Sequence, residues 1–350
     1  MKLVIAIGGN ALLRSGQAPT AANLLGNVQT AAAQLAKIAN TAAGVDASHQ
    51  IVITHGSGPQ VGLLALQSAA YAAQNPGVES SPLDMLDAEV AGMLGYVLEQ
   101  EIANLLPADL LHADLPNAKR SVATVLTRVE VDRLDPAFKT PTKPIGPSYT
   151  REQADTAAAG RSWTMGVVSG TTAATPSFRR MVASPQPVQV LAMPAIGALL
   201  DAGALVIAGG GGGIPVVRKL DDAGMEGVEA VIDKDLCTAL IAIGVQADCL
   251  IIATDVDAVY VNWGQPDQHR LEKTSPKELA QFNFASGSMG PKVEAAVNFV
   301  NATGKRAVIG PLDRIEDMLA GLAGTQICAD AGVGDLVGGD ADNGTGVAAA

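Results

Sequence analysis

Aromatic residues are scarce in this sequence, although its apolar content is high. Phe, Trp and Tyr make up 3% of the 350 residues, whereas hydrophobic residues reach 48%. The apolar residues are therefore mainly Ala, Val, Leu and Ile, which is typical of buried parallel strands covered by closely packed helices. A chain of this length can form one large α/β domain or two ordinary ones.

Cysteine is rare, and positive charge is in deficit. Cys237, Cys249 and Cys328 are odd in number and lack metal-site spacing. We therefore expect reduced thiols in a cytoplasmic protein rather than a disulfide framework. The net charge of −12 argues against nucleic acid or an anionic membrane as the main partner. A local cluster of lysines can still bind a small anion.

Long uninterrupted apolar runs are also missing. Residues 181–200 carry no charge but contain three prolines, and residues 202–217 are short and rich in glycine. Neither stretch is expected to span a bilayer. The first apolar run is interrupted by Gly8 and Gly9, which favours a strand and turn over an export signal.

Strand-like and helix-like segments alternate along most of the chain. Such alternation predicts right-handed βαβ crossovers and a mainly parallel sheet. The predicted strands are 2–7, 50–54, 121–131, 204–208, 249–254 and 306–310. The predicted helices are 21–43, 61–73, 82–106, 195–202 and 313–322, with two more that begin at 233 and 291.

Two regions depart from this alternation. Residues 134–187, called the arm below, contain seven of the nineteen prolines, which predicts an irregular insertion or a small subdomain. Residues 331–350 are rich in Gly, Ala and Asp without periodicity, and we expect a disordered tail.

Three glycine-rich turns each follow an apolar strand. Their sequences are AIGGNALL (6–13), ITHGSGPQVG (53–62) and IAGGGGGIPVV (207–217). In open α/β sheets the carboxyl ends of the strands form the ligand crevice, where backbone N–H groups at helix starts favour anions. One such turn is usually only a tight turn, but three at the same edge predict an anion site. None matches the G-x-x-x-x-G-K-[ST] phosphate loop.

Two lysines are predicted at helix starts, where a cation has the unfavourable charge. Asp233 is a plausible N-cap, which puts Lys234 in the first turn, and Pro291 at a favoured first position precedes Lys292. Each lysine alone is more simply explained as solvent-exposed. Two beside glycine loops indicate an anion that needs a strong positive field, as phosphoryl transfer does. Asp235 can hold both lysines in place.

Seven motifs together resemble the carbamate kinases, a branch of the amino acid kinase family. They are AIGGNALL, THGSGPQVG, KPIGPSY, GGGGIPVV, EAVIDKDL, TDVDAVYVNWG and GSMGPKVEAA, and the resemblance runs from about residue 3 to 328. It implies a three-layer α/β/α sandwich around a mainly parallel eight-stranded sheet, with a small protruding subdomain, in a homodimer. It also implies reversible phosphoryl transfer between ATP and carbamate, with ATP made from ADP and carbamoyl phosphate in arginine catabolism.

The resemblance also implies a division of the chain. Residues 1–330 would form the kinase-like domain, with the carbamate site in the N-terminal half and ATP or ADP in the C-terminal half. Mg²⁺ would be held mainly by the nucleotide phosphates and not by a metal site of the protein. The residues implied for adenosine are Thr254, Asp255, Tyr260 and Met289.

The same resemblance implies which residues bind the phosphoryl group and carbamate. Lys234 and Lys292 would stabilise the transferring phosphoryl group, and Asp235 would orient both. Lys143 would reach carbamoyl phosphate from the arm. The residues implied for binding are Gly8, Gly9 and Asn10 at the phosphoryl group, Gly56, Ser57 and Gly58 at the acceptor, and Gly210 and Gly211 in the floor between the halves.

Departures from the family pattern leave alternatives open. Ser57 stands where the family usually has Asn, and Gln186 where it has Lys; both concern acceptor choice and the arm. One alternative is a related kinase acting on an acylamino acid, glutamate or a nucleoside monophosphate. The other is a non-catalytic ligand sensor, which would not need Lys143, Lys234 and Lys292 together. For His55 we favour a structural role over a general base, because carbamate is already anionic.

Overall fold

The computed structural model describes residues 1–13, 16–41, 49–57, 59–106, 121–161, 163–168, 176–221, 223–285 and 287–329, with the backbone only at Asn10 and Thr41. The predicted tail, residues 331–350, lies outside these ranges. Among the described residues no helix is both long and apolar enough to cross a membrane.

Seventeen strands occur within these ranges. They are β1 (Lys2–Ile7), β2 (Gln50–His55), β3 (Val122–Thr124), β4 (Arg128–Val131), β5 (Lys143–Tyr149), β6 (Thr164–Val167), β7 (Phe178–Val182), β8 (Pro187–Val190), β9 (Leu205–Ile207), β10 (Ile214–Arg218), β11 (Met225–Gly227), β12 (Cys249–Thr254), β13 (Val259–Val261), β14 (His269–Leu271), β15 (Lys273–Thr274), β16 (Arg306–Pro311) and β17 (Thr325–Ile327). Eight of them form the central sheet, in the order β15-β17-β16-β12-β1-β2-β9-β3. Only β16 and β17 pair antiparallel there, so the sheet is mainly parallel, as predicted.

Ten helices are described. They are α1 (Gly9–Leu12), α2 (Ala21–Thr41), α3 (Gln60–Gln74), α4 (Leu83–Leu105), α5 (Arg151–Ala158), α6 (Met193–Asp201), α7 (Lys234–Gly244), α8 (Pro276–Leu279), α9 (Met289–Thr303) and α10 (Ile315–Ala320). Several begin and end close to the predicted bounds. α9 begins two residues before Pro291, and a 3-10 turn, Leu312–Arg314, takes the first part of the last predicted helix.

Two apolar layers cover the central sheet, one on each face. Alternate side chains of a strand point to opposite faces; thus Leu3 and Ile5 belong to a cluster with residues of α2 and α4. Val4 and Ala6 belong to a second cluster, with residues of α6, α7 and α9. Strands buried on both faces read as continuous apolar runs, which explains KLVIAI. The architecture is the predicted three-layer α/β/α sandwich.

The predicted strand 121–131 is wrong as one element, because the chain changes sheets within it. β3 pairs with β9 in the central sheet, whereas β4 pairs with β10 and β8 in a separate four-stranded sheet. Thr127 lies between the two strands, and its hydroxyl accepts a hydrogen bond from the Gly209 N–H at 2.9 Å. This contact ties the point of change to the five-glycine stretch.

The arm contains a sheet of its own. β5, β7 and β6 form an antiparallel sheet in that order, and α5 begins with a capping box between Thr150 and Gln153. One contact between the arm and the main sheet domain is made by two glycines, Gly62 of α3 and Gly146 of β5. A Cβ atom at Gly62 would lie 2.0 Å from the Gly146 Cα, so the two backbones touch with no room for a side chain.

We predict that Gly62→Ala separates the arm from α3. The added methyl group overlaps backbone atoms, and overpacking of this kind costs about 1–3 kcal/mol. Gly26→Ala is the matched control, because Gly26 is also helical and has open space around it; it should be neutral or stabilising. Thermal denaturation and limited proteolysis of both variants measure this. Equal melting temperatures and equal cleavage of the arm would contradict the contact.

Candidate active site

A cleft of about 880 Å³ opens at the carboxyl ends of β1, β2 and β12. The first two predicted glycine turns line it through Gly8, Gly9 and Gly56, and the five-glycine stretch contributes Gly211. Lys143 of the arm and Lys292 of α9 line it as well. The three turns that follow separate strands therefore reach one site, as expected for parallel strands that end at the same edge.

Glycine is required where these turns come together. A Cβ atom at Gly56 would lie 2.8 Å from the Gly9 N, so the first two turns are in backbone contact. In the five-glycine stretch Gly212 has φ +104°, and a Cβ atom there would lie 2.4 Å from the Ile232 O. Gly209, Gly211 and Gly213 also have positive φ, which L side chains rarely adopt. The stretch is thus a folded floor and not a flexible linker.

The start of α7 holds the charged groups of the cleft. Asp233 is the N-cap, and its side chain accepts a hydrogen bond from the Asp235 N–H at 2.9 Å, as predicted. Lys234 Nζ contacts one carboxylate oxygen of Asp235, and Lys292 Nζ contacts the other at 3.0 Å. One carboxylate therefore joins two lysines from different helices.

A second ion pair connects the arm to the same helix start. Lys143 Nζ lies 2.9 Å from the second carboxylate oxygen of Asp233. Burial alone would raise the pKa of Asp233, but Lys143, by charge and hydrogen bond, and Lys234 outweigh burial and lower the pKa to about 2. Asp233 thus stays ionised and keeps the arm lysine at the cleft.

Lys234 has the most buried side chain of the three lysines. Its side chain is 10% exposed, and burial lowers its pKa while Asp235 opposes that shift. The stem of Lys234 passes over Gly56, whose absent Cβ would lie 3.5 Å from the Lys234 Cδ. The first turn of α7 is also connected to β2. The Thr238 hydroxyl donates a hydrogen bond to the Lys234 carbonyl at 2.5 Å and lies 2.6 Å from the hydroxyl of Thr54 in β2.

His55 is buried and lies against the glycine floor, not in the cleft. A Cβ atom at Gly210 would lie 2.6 Å from His55 Nε2, and His55 Nδ1 lies 3.2 Å from the Gly56 O. Burial lowers the pKa of His55 to about 4, which keeps the ring neutral near pH 7. Among the described residues His55 does not line the cleft, so this position fits the structural reading.

The cleft lining includes three of the four residues predicted for adenosine. Thr254, Asp255 and Met289 line it. Tyr260 does not line it; its hydroxyl instead donates to Asp257 at 3.0 Å and its ring meets Trp263 edge-on, with 5.4 Å between centroids. The side chain of Asn10 and the whole of Gly58 lie outside the described residues.

Sequence reasoning missed several residues of the cleft. Asp233 was predicted only as an N-cap, and nothing in the sequence pairs it with Lys143, ninety positions away. Thr30 and Gln34 of α2 and Asp313 also line the cleft, although no motif marks them. Thr30 and Gln34 belong to a helix of ordinary amphipathic pattern, so nothing in the sequence marks them as cleft residues.

The arrangement is suited to a multiply charged anion. Within the ion-paired cluster, Lys143, Lys234 and Lys292 carry three positive charges against the two negative charges of Asp233 and Asp235, which leaves one positive charge in excess. Asp255 and Asp313 also line the cleft and lie outside these ion pairs. Backbone N–H groups of the glycine turns add donors at the same edge. Charged groups that ion pairs already hold in position can stabilise negative charge that develops during a reaction, because the groups do not have to reorient first.

Comparison with known proteins identifies related enzymes. The model of the "Amino acid kinase family" matches residues 1–311. A carbamate kinase from Haemophilus influenzae is 48% identical over 327 residues, which cover 93% of this chain and 96% of the relative. A carbamate kinase from Escherichia coli strain K12 is 47% identical over 325 residues, which cover 93% and 98%.

A solved structure extends the likeness to three dimensions. The carbamate kinase from Giardia lamblia bound to AMP-PNP superposes with a TM-score of 0.79 at 37% sequence identity. The match covers 94% of this chain and 98% of the Giardia chain. Both chains therefore share the fold over nearly their whole length.

We predict that His55 makes stability fall in mild acid. Its pKa of about 4 lies below the ordinary value of 6.5, so below pH 6.5 the unfolded chain binds a proton that the folded chain does not. Stability is then lost by up to about 1.4 kcal/mol per pH unit down to the folded pKa. Urea denaturation at pH 7 and pH 5 measures this loss. His55→Gln should reduce it by about 2 kcal/mol, while His269→Gln, at an exposed histidine, should not; equal losses would refute the assignment.

Proposed function

Because the chain belongs to the amino acid kinase family, we propose that it transfers a phosphoryl group reversibly between ATP and carbamate. It is a phosphotransferase of the carbamate kinase type, since relatives of that activity match it over nearly the full length of both partners. The observation that carries the proposal is Asp235, whose carboxylate holds Lys234 and Lys292 side by side in the cleft. A clamp of this kind serves charge that develops on a phosphoryl group.

The proposed reaction needs no general base. An oxygen of carbamate attacks the γ-phosphorus of ATP in line with the bond to ADP; that bond breaks, and carbamoyl phosphate and ADP result. Carbamate already carries the negative charge that attack requires, and His55 faces Gly210 outside the cleft. Lys234 and Lys292 would stabilise the charge on the transferring oxygens.

Backbone groups would hold the phosphoryl and acceptor ends. Gly9 would donate its N–H group to the transferring phosphoryl group, and Gly8, whose own N–H donates to the Ala253 O at 3.3 Å, would line the same end. Gly56, Ser57 and Gly211 would line the acceptor pocket, with Lys143 beside it. Ser57 is buried and offers a hydroxyl where the family usually has an amide. Asn10, Gly58 and Gly210 remain in the proposal through the family resemblance.

The nucleotide would occupy another part of the same cleft. Thr254, Asp255 and Met289 line the cleft there, and Tyr260 is proposed on the resemblance alone. In this division the N-terminal half and the arm hold carbamoyl phosphate, while the C-terminal half holds ADP or ATP.

Mg²⁺ is proposed as the companion of the nucleotide. Asp233 and Asp235 are taken up by lysines, whereas Asp255 and Asp313 line the cleft and offer the oxygen donors that Mg²⁺ prefers. This donor set fits an ion that arrives on the phosphates. Once bound, the ion would neutralise phosphate charge.

Location, direction and assembly are parts of the same proposal. Three free cysteines support a cytoplasmic enzyme, which would make ATP from ADP and carbamoyl phosphate in arginine catabolism. A homodimer is supported by an exposed apolar strip formed by α4 and by Leu126, which lies between β3 and β4 and packs against Gly92 of α4. The exposed side chains of this strip are Met85, Met93, Tyr96 and Leu126. Patches of this kind mark contact surfaces, and sedimentation velocity measures the assembly.

Lys234→Ala should lower turnover of ADP and carbamoyl phosphate by about 10²–10³-fold, because a fixed donor to the transition state is lost. Lys219→Ala, at an exposed lysine outside the cleft, is the control and should retain activity. The assay is ATP formation from ADP with carbamoyl phosphate, run beside acetyl phosphate.

Near-normal turnover of a folded Lys234→Ala variant would rule out its assigned role. Faster turnover of the wild-type chain with acetyl phosphate, or no turnover with either phosphate, would instead support another acceptor or a non-catalytic sensor.

Lys143→Ala should raise the KM for carbamoyl phosphate at least tenfold and leave ADP binding within about twofold of wild type. The lysine belongs to the arm, whereas the proposed adenosine residues belong to the other half of the chain. Steady-state kinetics and calorimetry of ADP binding separate the two effects. Unchanged carbamoyl phosphate kinetics would refute the role of Lys143, and equal loss for both ligands would indicate a displaced arm.

A further inference from the structure

A second cavity, of about 530 Å³, lies between the arm and the helices α3 and α4. It is lined by residues of the arm sheet, of α3 and of the start of α4, and shares no lining residue with the cleft. Its volume falls within the range of roughly 300–1,000 Å³ that small-molecule sites occupy.

Arg180 of β7 faces this cavity without a hydrogen bond. Its side chain is 15% exposed, and its nearest acidic atom, an oxygen of Glu229, is 3.8 Å away, beyond hydrogen-bond distance. Within the described ranges its guanidinium meets no acceptor at hydrogen-bond distance. The Arg180 Cζ atom lies over the Trp163 ring, 4.4 Å from its centre. A buried guanidinium with five N–H donors and no acceptor is costly to maintain.

Glu229 supplies the complementary charge beside Arg180, with its carboxylate 3.8 Å from the guanidinium and its side chain 58% exposed. One of its oxygens accepts a hydrogen bond from the Leu83 N–H at 2.9 Å, while the other faces Arg180. Arg180 and Glu229 are the only charged residues among the described lining, and the rest of the wall is apolar or carries hydroxyl groups. A plain anion would stand beside the Glu229 carboxylate, so anions alone fit poorly.

We propose that this cavity binds a small zwitterion with an apolar body, of the apolar α-amino acid class. Its carboxylate would accept from Arg180, and its ammonium group would donate to Glu229. Its side chain would lie against Ala65, Ala69 and Phe138. Each charge of the ligand then meets its complement, and the buried N–H donors of Arg180 gain the hydrogen-bond acceptor that Glu229, at 3.8 Å, does not provide.

An occupant would connect the arm to the core. Arg180 belongs to the arm sheet, and Glu229 lies four positions before Asp233, which binds the arm lysine. The backbone between them is also tied to the arm, because the Val231 N–H donates to the Ala183 O at 2.9 Å. The proposed site does not rest on the catalytic proposal, since binding is measured without turnover.

Tryptophan fluorescence tests the site directly. The chain has two tryptophans, so Trp263→Phe leaves Trp163 as the sole reporter in the full-length protein. We expect L-leucine to change its emission saturably. 4-Methylpentanoate, which lacks the ammonium group, and 3-methylbutylamine, which lacks the carboxylate, should bind at least tenfold more weakly.

Two variants and a matched control identify the contacts. Arg180→Gln should weaken L-leucine at least tenfold, whereas Arg179→Gln, at the neighbouring arginine of β7 that does not line the cavity, should bind like wild type. Glu229→Gln keeps an oxygen for the Leu83 N–H but loses the charge; it should weaken L-leucine and strengthen 4-methylpentanoate.

Melting temperatures establish that each variant is folded. No saturable response of the folded wild-type chain to L-leucine would overturn the proposal. Equal losses in the two arginine variants, or equal binding of L-leucine and 4-methylpentanoate, would overturn it as well. Retained L-leucine binding in a folded Arg180→Gln variant would overturn the carboxylate contact.

Discussion

The buried carboxylate of Asp235, shared by Lys234 and Lys292, is the contact on which the cleft depends. Side chains of the three are 4%, 10% and 15% exposed, so their charges have lost most of their water. Two cations near helix starts repel each other and oppose the helix dipoles. Asp235 offsets that repulsion only in part, because one carboxylate faces two lysines. The proposed phosphoryl group would meet the positive charge that remains.

The backbone conformation around α7 supports the contact of Asp235 with the two lysines. Gly56 can meet the Gly9 backbone only because no side chain stands there, and Gly212 passes close to the Ile232 carbonyl for the same reason. The hydroxyls of Thr54 and Thr238 fix the first turn of α7 to β2. Asp233 then brings the arm lysine to the same helix start. Three separate parts of the chain therefore converge on one turn of helix.

The features of the fold and of the cleft that depend on neighbouring residues in the chain were predictable from the sequence. Apolar strands followed by glycine turns predicted the sheet and its functional edge, and the N-cap at Asp233 predicted the position of Lys234. Contacts between distant segments were not predictable. The pairing of Asp233 with Lys143, the backbone contact of Gly62 with Gly146, and the change of sheet at Thr127 all arise from tertiary packing. Tyr260 illustrates the converse, because a motif match did not bring its side chain to the cleft.

Asp233 and Asp235 are two positions apart but bind different lysines, and the kinetics of their amide variants tests this division of roles most directly. Asn keeps the shape of Asp and can still cap α7. Asp235→Asn should lower kcat by about 10²-fold or more, because Lys234 and Lys292, the lysines proposed to stabilise the transition state, lose their anchor. Asp233→Asn should mainly raise the KM for carbamoyl phosphate, because only Lys143 is released. The same kinetic change in both variants, or the reverse assignment, would contradict the account.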